Sequence, residues 1–99
     1  MVFSSPYPDV DIPELSVYDF LFGSISSADR ERIALIDGAS GAETPYGGLL
    51  TQVDAIAGAL AARGIGVGQV VALHSPNVPA FAAVFHGILR SGATATTSF

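Results

Sequence analysis

A glycine-rich run at residues 64–68 (Gly-Ile-Gly-Val-Gly) is the first place in this 99-residue chain where residue types and spacing could do chemistry. Such runs cradle phosphates when they follow a strand and open a helix, because the free amides of the helix N-terminus then point at the anion. Here the run follows a predicted helix and precedes a predicted strand, which is the opposite polarity. We interpret it as a helix-to-strand connection and not as a nucleotide site.

The segment Ser75-Pro76-Asn77 is the second candidate, because it follows a predicted strand and precedes a predicted helix. Ligands of open α/β sheets gather at the carboxyl ends of the strands. A phosphate loop would need a glycine run and a lysine, and neither is present here. Serine and asparagine are also strongly preferred as helix caps, so we predict that Asn77 or Ser75 caps the following helix.

The two histidines and the first two aspartates lack the partners that a site requires. No carboxylate, second histidine or nucleophile stands at a working spacing from His74 or His86, so we predict structural roles for both rings. Asp9 and Asp11 have no third ligand nearby and are predicted to be solvated. We therefore assign no catalytic, no cofactor-binding and no metal-ligating residue to this chain.

The elements that must position any site are clearest in the last third of the chain, residues 69–99. Residues 69–74 are an apolar, β-branched run typical of a strand, and residues 80–90 are apolar nearly all round, which favours a buried helix. Residues 93–97 begin a second strand. This order predicts a parallel βαβ unit, and parallel sheets are covered on both faces. We therefore predict an α/β fold, the N-terminal portion of a larger layered domain with a mainly parallel sheet flanked by helices.

A longer helix is predicted immediately before this unit. Its apolar face consists of Leu49, Val53, Ile56 and Leu60, which repeat at three- and four-residue intervals. A helix with a single apolar face should lie on a sheet. We expect Thr44 to cap it, Pro45 to occupy its first turn, and Gly64 to end it.

Shorter elements are predicted in the first half of the chain. Ser16 should begin a short helix that Gly23 ends. Residues 28–32 read as a charged surface segment, and residues 33–36 as a strand ended by the turn at Asp37-Gly38. Residues 39–43 are either the far side of a hairpin or a loop. The proline-rich residues 1–13 are predicted to form an extended N-terminal arm.

Composition excludes several classes of function. The net charge is −5, there is no lysine and the four arginines are scattered, so we exclude a nucleic-acid-binding surface. The chain has no cysteine, which excludes disulfides and thiolate metal sites. The longest apolar stretch, residues 78–89, is shorter than the roughly 20 residues of a membrane span, and no signal peptide is evident. We expect a cytoplasmic protein.

Five sequence blocks, in order and spacing, resemble the N-terminal blocks of the adenylate-forming acyl-CoA ligases. They are residues 33–37 (IALID), 46–49 (YGGL), 66–73 (GVGQVVAL), 76–81 (PNVPAF) and 87–93 (GILRSGA). Residues 5–13 (SPYPDVDIP) also resemble the opening of 4-coumarate–CoA ligases. Residues 45–48 (PYGG) depart from the family, which has a threonine–glutamate capping box there. Residues 97–99 (TSF) depart as well, since the family reaches a small polar residue followed by proline.

The resemblance implies that residues 1–99 are an incomplete N-terminal subdomain of the large adenylation domain of an ATP-dependent carboxylate–CoA ligase. In the full-length parent, ATP, Mg²⁺ and a carboxylate would give an acyl-adenylate, which CoA would convert to a thioester. The family's catalytic lysine and its Ser/Thr/Gly-rich loop lie downstream. We therefore expect this chain to be inactive by itself and to bind none of these cofactors.

The expected partners are the remainder of the same chain and a second copy, which would meet the uncovered apolar surface. The alternative interpretation is a non-catalytic α/β module that self-associates or binds a partner. A small nucleotide-binding domain is disfavoured by the polarity of the glycine run.

Overall fold

The computed structural model describes residues 2–98, so Met1 of the predicted arm and Phe99 of the predicted last third lie outside the described residues. The elements in chain order are α1 (Val17–Phe22), α2 (Ser27–Arg30), β1 (Ile33–Ile36), β2 (Glu43–Pro45), α3 (Tyr46–Ala62), β3 (Val70–His74), α4 (Pro79–Arg90) and β4 (Thr94–Ser98). Residues 2–13 form no helix or strand, and all of them are exposed. No helix within residues 2–98 is long and apolar enough to cross a membrane.

Strand β3, helix α4 and strand β4 form the predicted βαβ unit. The two strands are parallel, with Val70 opposite Thr94 at one end and His74 opposite Ser98 at the other. Helix α4 covers one face of the pair, where Leu73, Ile88 and Ala93 form a buried cluster. The other face is open, so the second layer that normally covers a parallel sheet is not supplied by these residues.

Strands β1 and β2 form an antiparallel hairpin. Of residues 39–43, which were predicted as either the far side of a hairpin or a loop, only Glu43 lies in the far strand and residues 39–42 form the loop. Thr44 pairs with Leu35 in this hairpin. The prediction that Thr44 caps α3 is therefore wrong, because the strand pairing uses this residue instead. Pro45 occupies the cap position of α3 and gives no side-chain hydrogen bond, so its placement in the first turn is also wrong.

Helix α3 packs mainly against α4. Leu49 and Val53 of α3 are buried together with Ala83 of α4, and Ala34 and Leu35 of β1 lie against the same cluster. The apolar stripe was predicted correctly, whereas its main partner is a helix and not the predicted sheet. Gly87 permits this contact, because a Cβ atom there would come within 2.6 Å of the Ile56 Cγ2.

Helix α1 begins and ends as predicted. The Ser16 hydroxyl accepts a hydrogen bond from the Asp19 amide at 3.1 Å, and Gly23 follows the last turn. Helix α2 was not predicted. Residues 28–32 read as a charged segment, but Ser26 caps a single turn there by accepting from the Asp29 amide at 3.1 Å.

Candidate functional site

A cleft of about 240 Å³ lies where the carboxyl end of β1 meets the turn between β3 and α4. It is lined by Leu35, Ile36, Asp37, Gly38, Asn77, Val78, Pro79, Phe81 and Ala82. Ligands of open α/β sheets gather at the carboxyl ends of the strands. Here β3 belongs to the parallel pair, whereas β1 belongs to the separate antiparallel hairpin. The cleft brings together two turns that the sequence separates by about forty residues, and it is the best-placed candidate site in the described chain.

Asp37 is the ionisable residue of this cleft, and the local turn already uses its carboxylate. Its Oδ1 accepts a hydrogen bond from the Ala39 amide at 2.9 Å. That bond, aided by Ser40, holds the pKa of the Asp37 carboxyl below its usual value. The carboxylate therefore stays ionised at neutral pH and orders the hairpin loop. No lysine, arginine or histidine lines the cleft beside it.

Asn77 lies at the rim of the cleft and does not cap α4. Val78 occupies the cap position without a side-chain hydrogen bond, and Pro79 begins the helix. The prediction of a cap by Asn77 or Ser75 is wrong because proline fixes the helix start two residues after Asn77. The Ser75 hydroxyl instead donates to the Pro76 carbonyl at 3.0 Å.

The cleft can hold a small group but does not assemble a reaction centre. Its floor is apolar, from Leu35, Phe81 and Ala82, and its rim offers one amide and one carboxylate. A nucleophile and a base within hydrogen-bond reach of each other are missing from the lining residues. The cleft is the junction between the end of β1 and the start of α4.

His74 ends β3 on the open face of the parallel pair. Its Nδ1 lies 2.7 Å from the Ser98 hydroxyl oxygen, directly across the strand pairing. Both side chains are exposed. Neither residue has a salt-bridge or hydrogen-bond contact with a carboxylate among residues 2–98, so the pair lacks the third group of a catalytic triad. The contact joins the ends of two strands, and the structural role of His74 stays a prediction.

His86 lies on α4 between aromatic rings. Its ring centroid is 5.2 Å from that of Phe22 and 5.3 Å from that of Phe85, and both contacts are edge-to-face. Its Nδ1 is buried without a hydrogen-bond partner in the described part of the chain. Burial lowers the pKa of His86 below its usual value. Among residues 2–98, His86 belongs to no group of side chains that could hold a metal ion, and its structural role stays a prediction.

The glycine run at residues 64–68 connects α3 to β3, as predicted. Gly64 has a φ of 75°, which favours glycine, and the Ile65 amide donates to the Leu60 carbonyl at 3.0 Å to close the helix. The Gly66 amide donates to the Gln69 Oε1 at 3.0 Å. The run therefore lies at the amino end of β3, away from the cleft, and this amide is already engaged.

A Mg²⁺ site does not fit the described residues. Within residues 2–98, no group of three or more His, Cys, Asp and Glu side chains is placed to hold a metal ion. Asp9 and Asp11 lie in the exposed N-terminal arm. The assignment of no catalytic, cofactor-binding or metal-ligating residue therefore stays a prediction.

Sequence reasoning did not find the cleft itself. Asp37-Gly38 and Asn77 were both recognised as residues that follow strands, but nothing local placed them side by side. The usable signal was that the two segments each follow a strand. Helix α3 lies between these two segments in the chain. It packs against both β1 and α4, and this packing brings the turn after β1 next to the start of α4.

Comparison with known proteins identifies relatives over nearly the whole chain. Residues 25–99 match the family described as AMP-binding enzyme. The chain is 36% identical over 98 residues to 4-coumarate--CoA ligase 5 of Oryza sativa, covering 98% of this chain and 18% of that protein. It is also 36% identical over 101 residues to 4-coumarate--CoA ligase 4 of Arabidopsis thaliana, with the same coverage of both proteins.

A solved structure has the same fold. The apo MatB structure from Rhodopseudomonas palustris superimposes with a TM-score of 0.75 at 24% identity, over 84% of this chain and 16% of that one. The chain thus spans only 18% of the length of the first curated relatives that it matches. The α/β fold and the resemblance to adenylate-forming ligases are confirmed.

Proposed function

The chain belongs to the AMP-binding enzyme family, and on this basis we propose that it is a scaffold segment of an ATP-dependent carboxylate–CoA ligase. Residues 1–99 would be an incomplete N-terminal subdomain of the large adenylation domain, with residues 1–13 as its arm. The observation that carries this proposal is the disparity in coverage, since 98% of the chain matches only 18% of a 4-coumarate--CoA ligase.

The proposed activity belongs to the full-length enzyme. ATP and a carboxylate would form an acyl-adenylate, and CoA would convert it to a thioester, with Mg²⁺ assisting at residues outside the described chain. Stabilising the charge that develops on the transferring groups needs fixed positive charge and donors. The chain has no lysine, and the cleft described above has no cationic side chain. We therefore propose that the chain alone neither binds nor turns over ATP.

A chimera tests the scaffold role. Residues 25–99 would replace the matching segment of rice 4-coumarate--CoA ligase 5, and thioester formation would be compared with that of the unaltered enzyme. We expect the chimera to fold and to retain activity within about tenfold. Cores accept many simultaneous apolar substitutions when their total volume and apolar pattern are kept. A second chimera with Ile88→Asp would be inactive, because it buries an unpaired charge.

A properly folded chimera without activity would contradict the scaffold role. Folding is checked by circular dichroism and by a melting transition, which separates a misfolded chimera from a folded but inactive one. A chimera whose Ile88→Asp variant is equally active would show that this segment is not packed as described.

A self-associating module is the second candidate, and the exposed apolar residues favour it. The N-terminal arm and α1 expose Val2, Phe3, Tyr7, Val10, Ile12, Leu15, Val17, Phe20 and Leu21. Exposed apolar patches commonly mark interaction sites, and these residues all fall within residues 2–21. Light scattering after size-exclusion chromatography measures the oligomeric state, where a stable monomer at high concentration would contradict self-association.

A further inference from the structure

His86 lies at the contact between α1 and α4, and the proposed function leaves it without a role. Its ring packs edge-to-face on Phe22 of α1 and on Phe85 of its own helix. Its Nδ1 is buried and accepts or donates no hydrogen bond within residues 2–98. A neutral imidazole tolerates such a place, whereas an imidazolium would bury a charge and an unsatisfied N–H group.

Helix α1 is held to the rest of the chain by few contacts. It has six residues, and none of them is buried. Tyr18 packs on Phe22 at 5.5 Å between ring centroids, and the Arg90 guanidinium lies 3.9 Å from the Tyr18 ring centroid. Tyr18 also packs against the buried cluster of Leu49, Val53 and Ala83. On α4, Tyr18 and Phe22 meet Arg90 and His86 respectively.

We propose that His86 makes the docking of α1 on α4 dependent on pH. Helix α1 is docked while the His86 ring is neutral, and it is released when the ring is protonated. The device acts within the scaffold and is independent of the ligase activity proposed above. It would expose the half-buried rings of Tyr18 and Phe22, next to the N-terminal arm whose apolar residues are already exposed.

The surrounding groups do not compensate a positive charge on the ring. The titratable or charged side chains on the elements packed against α4, and on α4 itself, are Tyr18, Asp19, Tyr46, Asp54, His74 and Arg90. Asp54 is already paired with Arg90, at 2.7 Å between carboxylate oxygen and Nε. Arg90 lies one turn beyond His86 on α4, where like charges repel. Asp19 is exposed, and His74 pairs with Ser98 on the open face of the sheet.

The direction of the pH effect follows from the burial of the ring. Burial lowers the pKa of His86 from the ordinary value of 6.5. At pH values between the His86 pKa of the docked state and that of the released state, the docked state therefore binds fewer protons than the released state. Docking is therefore fully stable above about pH 6.5 and weakens as the pH falls through the docked-state value.

Nuclear magnetic resonance of the 99-residue chain tests this proposal. The ring signals of Tyr18, Phe22 and His86 would be followed from about pH 7.5 to about pH 5, the range in which histidine titrates. We expect the Tyr18 and Phe22 signals to lose their packed chemical shifts with the same midpoint as the His86 titration. The methyl signals of Ile88 and Leu73, whose cluster contains no residue of α1, should keep their dispersion, which shows that the core remains folded.

His86→Phe is the matched variant, because it preserves an aromatic ring at the contact and removes the titration. In this variant α1 should remain docked across the same pH range. Limited proteolysis after Phe22, compared between the two proteins at each pH, gives a second readout. We expect several-fold faster cleavage of the unaltered chain than of the variant in acid, and equal rates at neutral pH.

Three results would overturn the proposal. The first is a docked α1 in the unaltered chain after His86 has been protonated. The second is an equal acid release in His86→Phe, which would assign the effect to a carboxylate such as Asp54. The third is an α1 that is already released at neutral pH. If His86→Phe loses the Ile88 and Leu73 methyl dispersion, His86→Leu replaces it, with the same expected retention of α1.

Discussion

The C-terminal βαβ unit and the N-terminal segment of residues 2–23 contain similar proportions of apolar side chains but use them differently. In the βαβ unit, Ile88 is 1% exposed and Leu73 is 9% exposed. In the N-terminal segment, Ile12 is 89% exposed and no residue of α1 is buried. Burial requires a partner surface at the right place in the fold, and only the C-terminal unit has one within the chain. The comparison separates the apolar residues that stabilise the βαβ unit by burial from those of the N-terminal segment, which remain exposed.

The largest expected effect comes from matched isoleucine substitutions in the two regions. Ile88→Ala removes buried methyl groups from the core under α4, and we expect it to lower the free energy of unfolding by about 3 kcal/mol. Ile12→Ala removes the same groups from an exposed side chain and should change it by less than about 0.5 kcal/mol. Chemical denaturation measures both. Equal losses would mean that the arm is packed in solution and would remove the contrast between the regions.

Two glycine-to-alanine substitutions give the next largest effects, and they change the free energy of unfolding in opposite directions. Gly87→Ala would bring a Cβ within 2.6 Å of Ile56, and we expect the separation of α3 and α4 to cost about 2 kcal/mol of unfolding free energy. Gly58→Ala on α3 meets no atom within 4 Å. It should raise the free energy of unfolding by about 0.5–1 kcal/mol, since alanine is the better helix former. A stabilising Gly87→Ala would contradict the close packing of the two helices.

The sequence predicted well those features that neighbouring residues decide. Ser16 begins α1 because its hydroxyl reaches an amide three residues later, and Gly64 ends α3 because it adopts a positive φ. The βαβ unit was recognisable since its two strands and its helix are consecutive in the chain. These features need no knowledge of which surfaces meet.

The errors arose where distant residues decide the outcome. Thr44 has the chemistry of a cap, but its pairing with Leu35 places it in β2. The apolar face of α3 correctly predicted that one side of this helix is buried, but it did not indicate that α4 covers it. Helix α2 is a single turn and therefore too short to show a helical period. The cleft escaped prediction for the same reason, because Asp37 and Asn77 meet only once α3 and α4 have packed.

A smaller and local effect is expected in the N-terminal segment. Ser16→Ala removes the cap of α1, and we expect the opening of this helix to become easier by about 1 kcal/mol. Hydrogen exchange at the Gly23 amide, which bonds to the Asp19 carbonyl at 2.9 Å, reports on α1. The Ile88 amide in α4 should exchange at an unchanged rate.

Ser26→Ala is the control for this prediction, because it removes the equivalent cap of α2. It should leave the Gly23 amide unaffected. Faster exchange throughout α4 in Ser16→Ala would instead indicate that α1 and the βαβ unit unfold together. That outcome would make the two regions a single cooperative unit.

We propose that this chain is structural and that acyl-adenylate formation in the full-length enzyme depends on residues outside it. Acyl-adenylates are trapped with hydroxylamine, using the purified chain with ATP, Mg²⁺, CoA and a panel of 4-coumaric and fatty acids. Full-length rice 4-coumarate--CoA ligase 5 serves as the positive control. We predict no hydroxamate above the enzyme-free background with the chain alone. Hydroxamate that depends on ATP and is lost in the Ile88→Asp variant would contradict the claim.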